Sequence, residues 1–184
     1  MTETPWLANF FWKIGLKNSK PDLLDKTDRD KIRKRIHVEY DIYAEVYPPE
    51  KPFDWEVTKA LILRISEELK KNKIGFLVVI IPNELEFRPD IWRKTLDENP
   101  HMKNVKFDLR KPERILSNCL RANNIDYMLL RPEFEQYSRE TGKDLHSHFA
   151  CDNHWNANGH ALVAQLIYRR LKGDKLVPVG RDND

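Results

Sequence analysis

An α/β layered fold with a parallel sheet is the fold class this sequence predicts, on three features. Its local patterns alternate helix, strand, helix, strand, helix, the order of α/β layers. Two short runs, Ile74-Gly-Phe-Leu-Val-Val-Ile-Ile81 and Ile125-Asp-Tyr-Met-Leu-Leu130, are apolar on nearly every residue, as the strands of a parallel sheet are when both faces are covered. At 184 residues the chain has the length of one domain.

The elements follow in order. Residues 1–16 hold Trp6, Phe10, Phe11 and Trp12 and suit a short helix, whereas 17–34 are dense in Lys, Arg and Asp and read as solvated. Pro48, Pro49 and Pro52 mark a loop. Asp54 then suits an N-cap, and Val57, Leu61, Ile65 and Leu69 recur every four residues, which draws one buried stripe on a helix running to about Lys71. The 74–81 strand ends at Pro82. Residues 82–110, with Pro82, Pro89 and Pro100, form a connection too long to be idle in a compact domain. Pro112 suits the first residue of a helix carrying Ile115, Leu116, Cys119 and Leu120, which ends near Asn123 and Asn124. The 125–130 strand stops before Pro132, and a last helix spans about Ala157 to Leu171. Two strands are fewer than the four to six or so usual in a sheet. Further strands therefore lie in the charged N-terminal third, or part of the domain is missing from this chain.

Composition narrows the function classes. Apolar residues make up 40% and charged residues 33% of the chain, with 5 Trp, 6 Tyr and 8 Phe, a balance foreign to disordered chains. The net charge of +3 does not single out nucleic acid or an anionic membrane as partner. The one basic cluster, Lys31 to His37, follows Asp28 and Asp30 and has no aromatic interleaving, so it reads as a solvated face. No apolar run approaches the roughly 20 residues of a membrane span. The N-terminus lacks the basic start and apolar core of a signal peptide, so the expected location is cytoplasmic. Cys119 and Cys151 could form at most one disulfide.

Chemistry concentrates in one window. Four of the six histidines fall within His146-Ser-His148-Phe-Ala-Cys151-Asp152-Asn-His154-Trp155-Asn156-Ala-Asn-Gly159-His160. In an extended loop residues i and i+2 face the same side, so Asp152 and His154 can share a pocket. An Asp beside a His is the orienting and base-carrying part of a nucleophilic triad. Asn156 can cap the helix that carries His160 and lock the loop in place. Other readings of the window stay open: a loop that only caps a helix; a metal site from His146, His148, Cys151 and His154, which has suitable donors but lacks a second pair at recognised spacing; and Cys151 as a nucleophile with His154. Trp155 reads as core or pocket wall. Asn83 and Glu84, just past a strand's C-terminal end, lie where open α/β sheets bind ligands but read as loop residues.

The block from Asp152 through His154-Trp155 and Gly159-His160 into an apolar helix resembles the last block of the SGNH (GDSL-type) hydrolases. The Ile81-Pro-Asn83 strand end, the Asp108 to Pro112 helix start and the Leu130-Arg-Pro132 strand end fit the same order over residues 54–172. The resemblance implies a three-layer flavodoxin-like fold, incomplete in this chain. It also implies an acyl or acetyl esterase with His154 as general base and Asp152 orienting it, no metal, and no cofactor. The implied substrate is an ester, with acylated carbohydrates and lipids as candidates. The family's Gly-Asp-Ser nucleophile motif and its Gly-x-Asn-Asp block are absent, since none of the six glycines starts either. The expectation is therefore a C-terminal part, inactive alone, whose partner is an N-terminal half. The expected organisation is an aromatic and charged segment over 1–53, the hydrolase-like part over 54–172 and a tail over 173–184.

Overall fold

Apolar runs and helix-start residues lay the chain out as five α-helices and two β-strands among residues 40–47, 51–147 and 154–174, which the computed structural model describes. In order these are α1 (Lys51–Lys71), β1 (Leu77–Ile80), α2 (Pro89–Glu98), α3 (Lys111–Ala122), β2 (Asp126–Leu129), α4 (Arg131–Thr141) and α5 (Ala157–Gly173). Short 3-10 turns occupy Asp41–Tyr43, Glu84–Glu86 and Pro100–Met102. The readings of 1–16, 17–34 and the basic run, and of nearly all the tail, lie outside the described residues.

The chain forms two compact units. The first comprises the described residues up to Ile80 and Asp90–Leu129. Its sheet is β1 and β2 alone among the described residues, paired in parallel with Leu77 opposite Asp126 and Ile80 opposite Leu129. The direct parallel pairing of the two apolar runs is as expected. Pro112 falls in the first turn of α3, where its missing N–H costs nothing. Asp108 anchors that turn: its carboxylate accepts from the Arg110 amide at 3.0 Å and pairs with Arg114 at 2.7 Å. Buried Tyr43, Ala44, Trp55, Met102, Leu120 and Ile125 make this unit's core. Segment 40–47 is tied down by Lys111, whose ammonium donates to the carbonyls of Ala44 (2.7 Å) and Glu45 (2.9 Å) and lies 3.2 Å from the centre of the Tyr47 ring. Burial pushes the Lys111 pKa below its ordinary value, against the pull of Asp108.

The second unit comprises Ile81–Pro89 and the described residues from Leu130 on. Leu85, Phe87, Leu130, Phe134, Leu145, Val163 and Leu166 are buried in it. Asn83 starts the Glu84–Glu86 turn with a capping box, accepting from the Leu85 amide while its own amide donates to Glu86. α4 closes at Gly142, whose φ of 64° is the left-handed conformation that glycine adopts without steric cost.

Several expectations need correction. The three-layer flavodoxin-like fold, and with it the SGNH (GDSL-type) resemblance, fails: 63% of the described residues are helical and their only sheet has two strands, not an extensive sheet core. α1 begins at Lys51 rather than at Asp54, and Trp55 is its only buried residue. The Val57–Leu69 stripe is not buried, since Leu61 and Ile65 are exposed and Val57 and Leu69 half-covered. A pair of short strands gives a 21-residue helix too little apolar surface to cover that stripe. The 82–110 connection contains α2, and α4 follows β2 directly; in each a proline that reads as a breaker sits in the first helical turn.

Candidate functional site

The histidine window is built as a clasp. Leu145 to Ser147 run antiparallel to His154 to Asn156: His146 bridges Trp155, the Ser147 amide donates to the His154 carbonyl at 2.8 Å, and the Asn156 amide donates to the Leu145 carbonyl at 3.0 Å. Asn156 caps α5 as expected, its side-chain oxygen accepting from the amides of Asn158 (2.9 Å) and Gly159 (3.1 Å). The same side chain's NH₂ group donates to the carbonyls of Asp144 (2.8 Å) and His146 (3.1 Å), so one residue caps the helix and staples the incoming strand to it. Gly159 lets the two approach, because a Cβ there would lie 2.4 Å from the Leu145 carbonyl oxygen and 2.9 Å from Trp155 Cβ.

The clasp sends its histidines to different places. His146 is buried, its ring 5.7 Å from Phe87 and 6.3 Å from Phe134 between centroids, so it is a core aromatic. His154 is exposed at the clasp's end, and His160 is exposed on α5 with its ring edge-on to Trp155 at 5.6 Å. Trp155 packs against Phe134 at 5.8 Å, the core and wall role expected of it. His148, Cys151 and Asp152 lie outside the described residues, so His154 is placed and its expected partner Asp152 is not.

These placements correct the functional expectations. Among the described residues no group of three or more His, Cys, Asp or Glu side chains could hold a metal ion, so the metal-site reading of His146, His148, Cys151 and His154 finds no support there. The serine-esterase assignment falls with the fold that it depended on, because a helix-dominated structure does not provide the sheet of that enzyme class. No described helix is long and apolar enough to cross a membrane.

No family model, no curated protein and no solved structure matches this chain. Function therefore has to be read from the surfaces the fold presents.

The most unusual of these is the sheet of the first unit. Parallel strands are ordinarily buried on both faces. Here the residues of Leu77–Ile80 are all half-covered, as are Tyr127, Met128 and Leu129, and Asp126 is exposed. The two strands also differ in how their edges are guarded. β2 begins with a charge and carries Tyr127, whose hydroxyl accepts from Arg121 at 3.2 Å. β1 is Leu-Val-Val-Ile, with no charge, proline or bulge, and Ile74 just before it is 55% exposed. Sequence reasoning recognised the run as a central strand of a sheet with too few strands to be finished.

Proposed function

We propose that this chain is an assembly module in which the edge of β1 that no described strand covers accepts an extended apolar segment of another polypeptide as a further strand. The observation that carries this reading is that none of the eight residues of a parallel β pair is buried. An unguarded edge offers a row of backbone donors and acceptors to an incoming strand, and natural proteins normally block such rows with Lys, Pro or a bulge. β1 has none of these. Fully burying an aliphatic side chain contributes roughly 1.5–3 kcal/mol, so completing the cover of half-buried Leu77, Val78, Val79 and Ile80 gains about 1 kcal/mol each. Main-chain pairing then supplies affinity, while the alternating side chains supply selectivity for an uncharged, β-branched segment.

A peptide carrying Leu-Val-Val-Ile between solubilising lysines tests the reading against the isotope-labelled full chain by NMR. Saturable shifts confined to β1 and its flanks are expected, and a peptide N-methylated on alternate residues should lose them. Equal binding of the methylated peptide, or no saturable response to either, would overturn the assignment.

A further inference from the structure

The second unit carries a feature independent of the sheet. A cleft of about 570 Å³ lies between the Phe87-Arg88-Pro89 turn and the C-terminal part of α4 with the turn after it. Its charges are not balanced locally. Arg88 is held by Asp144 at 2.7 Å, and Glu135 is held by Arg131 at 2.6 Å, so both lining acids are already neutralised. Arg139 and Lys143 also line the cleft, are exposed, and have no ion-pair partner among the described residues. The Ser138 hydroxyl oxygen is buried in the same wall and has no hydrogen-bond partner among the described residues. Phe87 and Pro89 add apolar surface to the lining.

We infer that this cleft binds a small organic anion, a carboxylate or phosphate ester bearing a planar apolar group. Arg139 and Lys143 would meet the anion with charge-assisted hydrogen bonds, the strong class for such ligands. The apolar group would lie against Phe87 and Pro89.

The test is an NMR titration of the full labelled chain with benzoate, phenyl phosphate, inorganic phosphate and benzyl alcohol. Saturable shifts at Arg139 to Asp144 are expected with benzoate or phenyl phosphate, and the tighter of the two identifies the anion. Benzyl alcohol and inorganic phosphate should bind at least about tenfold more weakly, since each lacks one half of the recognition. The double variant Arg139→Gln, Lys143→Gln should keep its far-UV circular dichroism and lose about tenfold or more in affinity. The inference is overturned if neither aromatic anion saturates, if inorganic phosphate or benzyl alcohol binds equally well, or if the double variant binds unchanged. A fourth contrary result is a variant that only melts earlier, with no ligand to lose, which would mean that the two cations serve solely to offset the C-terminal carbonyls of α4.

Discussion

Replacing Asn156 separates two jobs that one side chain performs. Its oxygen caps α5 through the amides of Asn158 and Gly159, and its NH₂ group holds the carbonyls of Asp144 and His146. Loss of an N-cap costs about 1 kcal/mol, within a range of roughly 0.5–2. Each of the two further hydrogen bonds contributes about 1 kcal/mol net. Asn156→Ala should therefore destabilise by about 2–4 kcal/mol, a fall of roughly 4–16 °C in Tm for a chain of this size. Asn156→Asp is the sharper comparison. Aspartate is as good a cap as asparagine, yet it would set a carboxylate oxygen against two carbonyl oxygens at 2.8 and 3.1 Å. It should be destabilised by about as much as the alanine variant. Thermal melts followed by circular dichroism measure both, and amide exchange at Ser147 and Gly159 shows whether strand and cap open together. A wild-type Tm for Asn156→Asp would refute the staple and leave only the cap.

Three further outcomes are expected. Gly159→Ala forces a methyl to within 2.4 Å of a backbone oxygen and should cost about 1–3 kcal/mol or more in urea denaturation, although alanine is the better helix former. Lys111→Met removes two hydrogen bonds and the contact with the Tyr47 ring, so the amides of Glu45 and Asp108, which bridge segment 40–47 to its neighbours, should exchange at least about tenfold faster. Burial raises the pKa of Asp108, but hydrogen bonds from Arg114 and the Arg110 amide and the charges of Arg114 and Lys111 outweigh it and hold the carboxyl below 3.8. Its contribution is thus present above the unfolded value and lost as pH falls through the lower folded one, so Asp108→Asn should be less stable at neutral pH and show a shallower loss below about pH 4 in acid titrations.

Much of the local structure was legible because local chemistry decides it. Pro112 marked the start of α3, Asn156 marked the cap of α5, and the Leu-Val-Val-Ile and Tyr-Met-Leu runs were already strands that pair in parallel. What was not legible depended on how much surface the chain assembles around each element. The spacing of Val57, Leu61, Ile65 and Leu69 is that of a buried stripe, but spacing shows only that the residues share a face, and here that face is left partly open. Pro89 and Pro132 hid α2 and α4 because proline ends one element and begins another with the same residue. His146 and His154 are eight residues apart in a histidine-rich window, yet one lies among Phe87 and Phe134 and the other in solvent. Composition could not tell a core ring from an exposed one.

The central claim is that the edge of β1 away from β2, which no described strand covers, is open. In a parallel pair alternate amides of a strand point to its neighbour and the others point away. Residue-level hydrogen exchange of the isolated chain across Leu77–Ile80 reads this directly. The account predicts an alternating pattern, with the amides directed at β2 protected and the intervening ones exchanging close to the rate of an exposed peptide. Uniform protection of all four would mean that the edge is already covered, and would contradict the account.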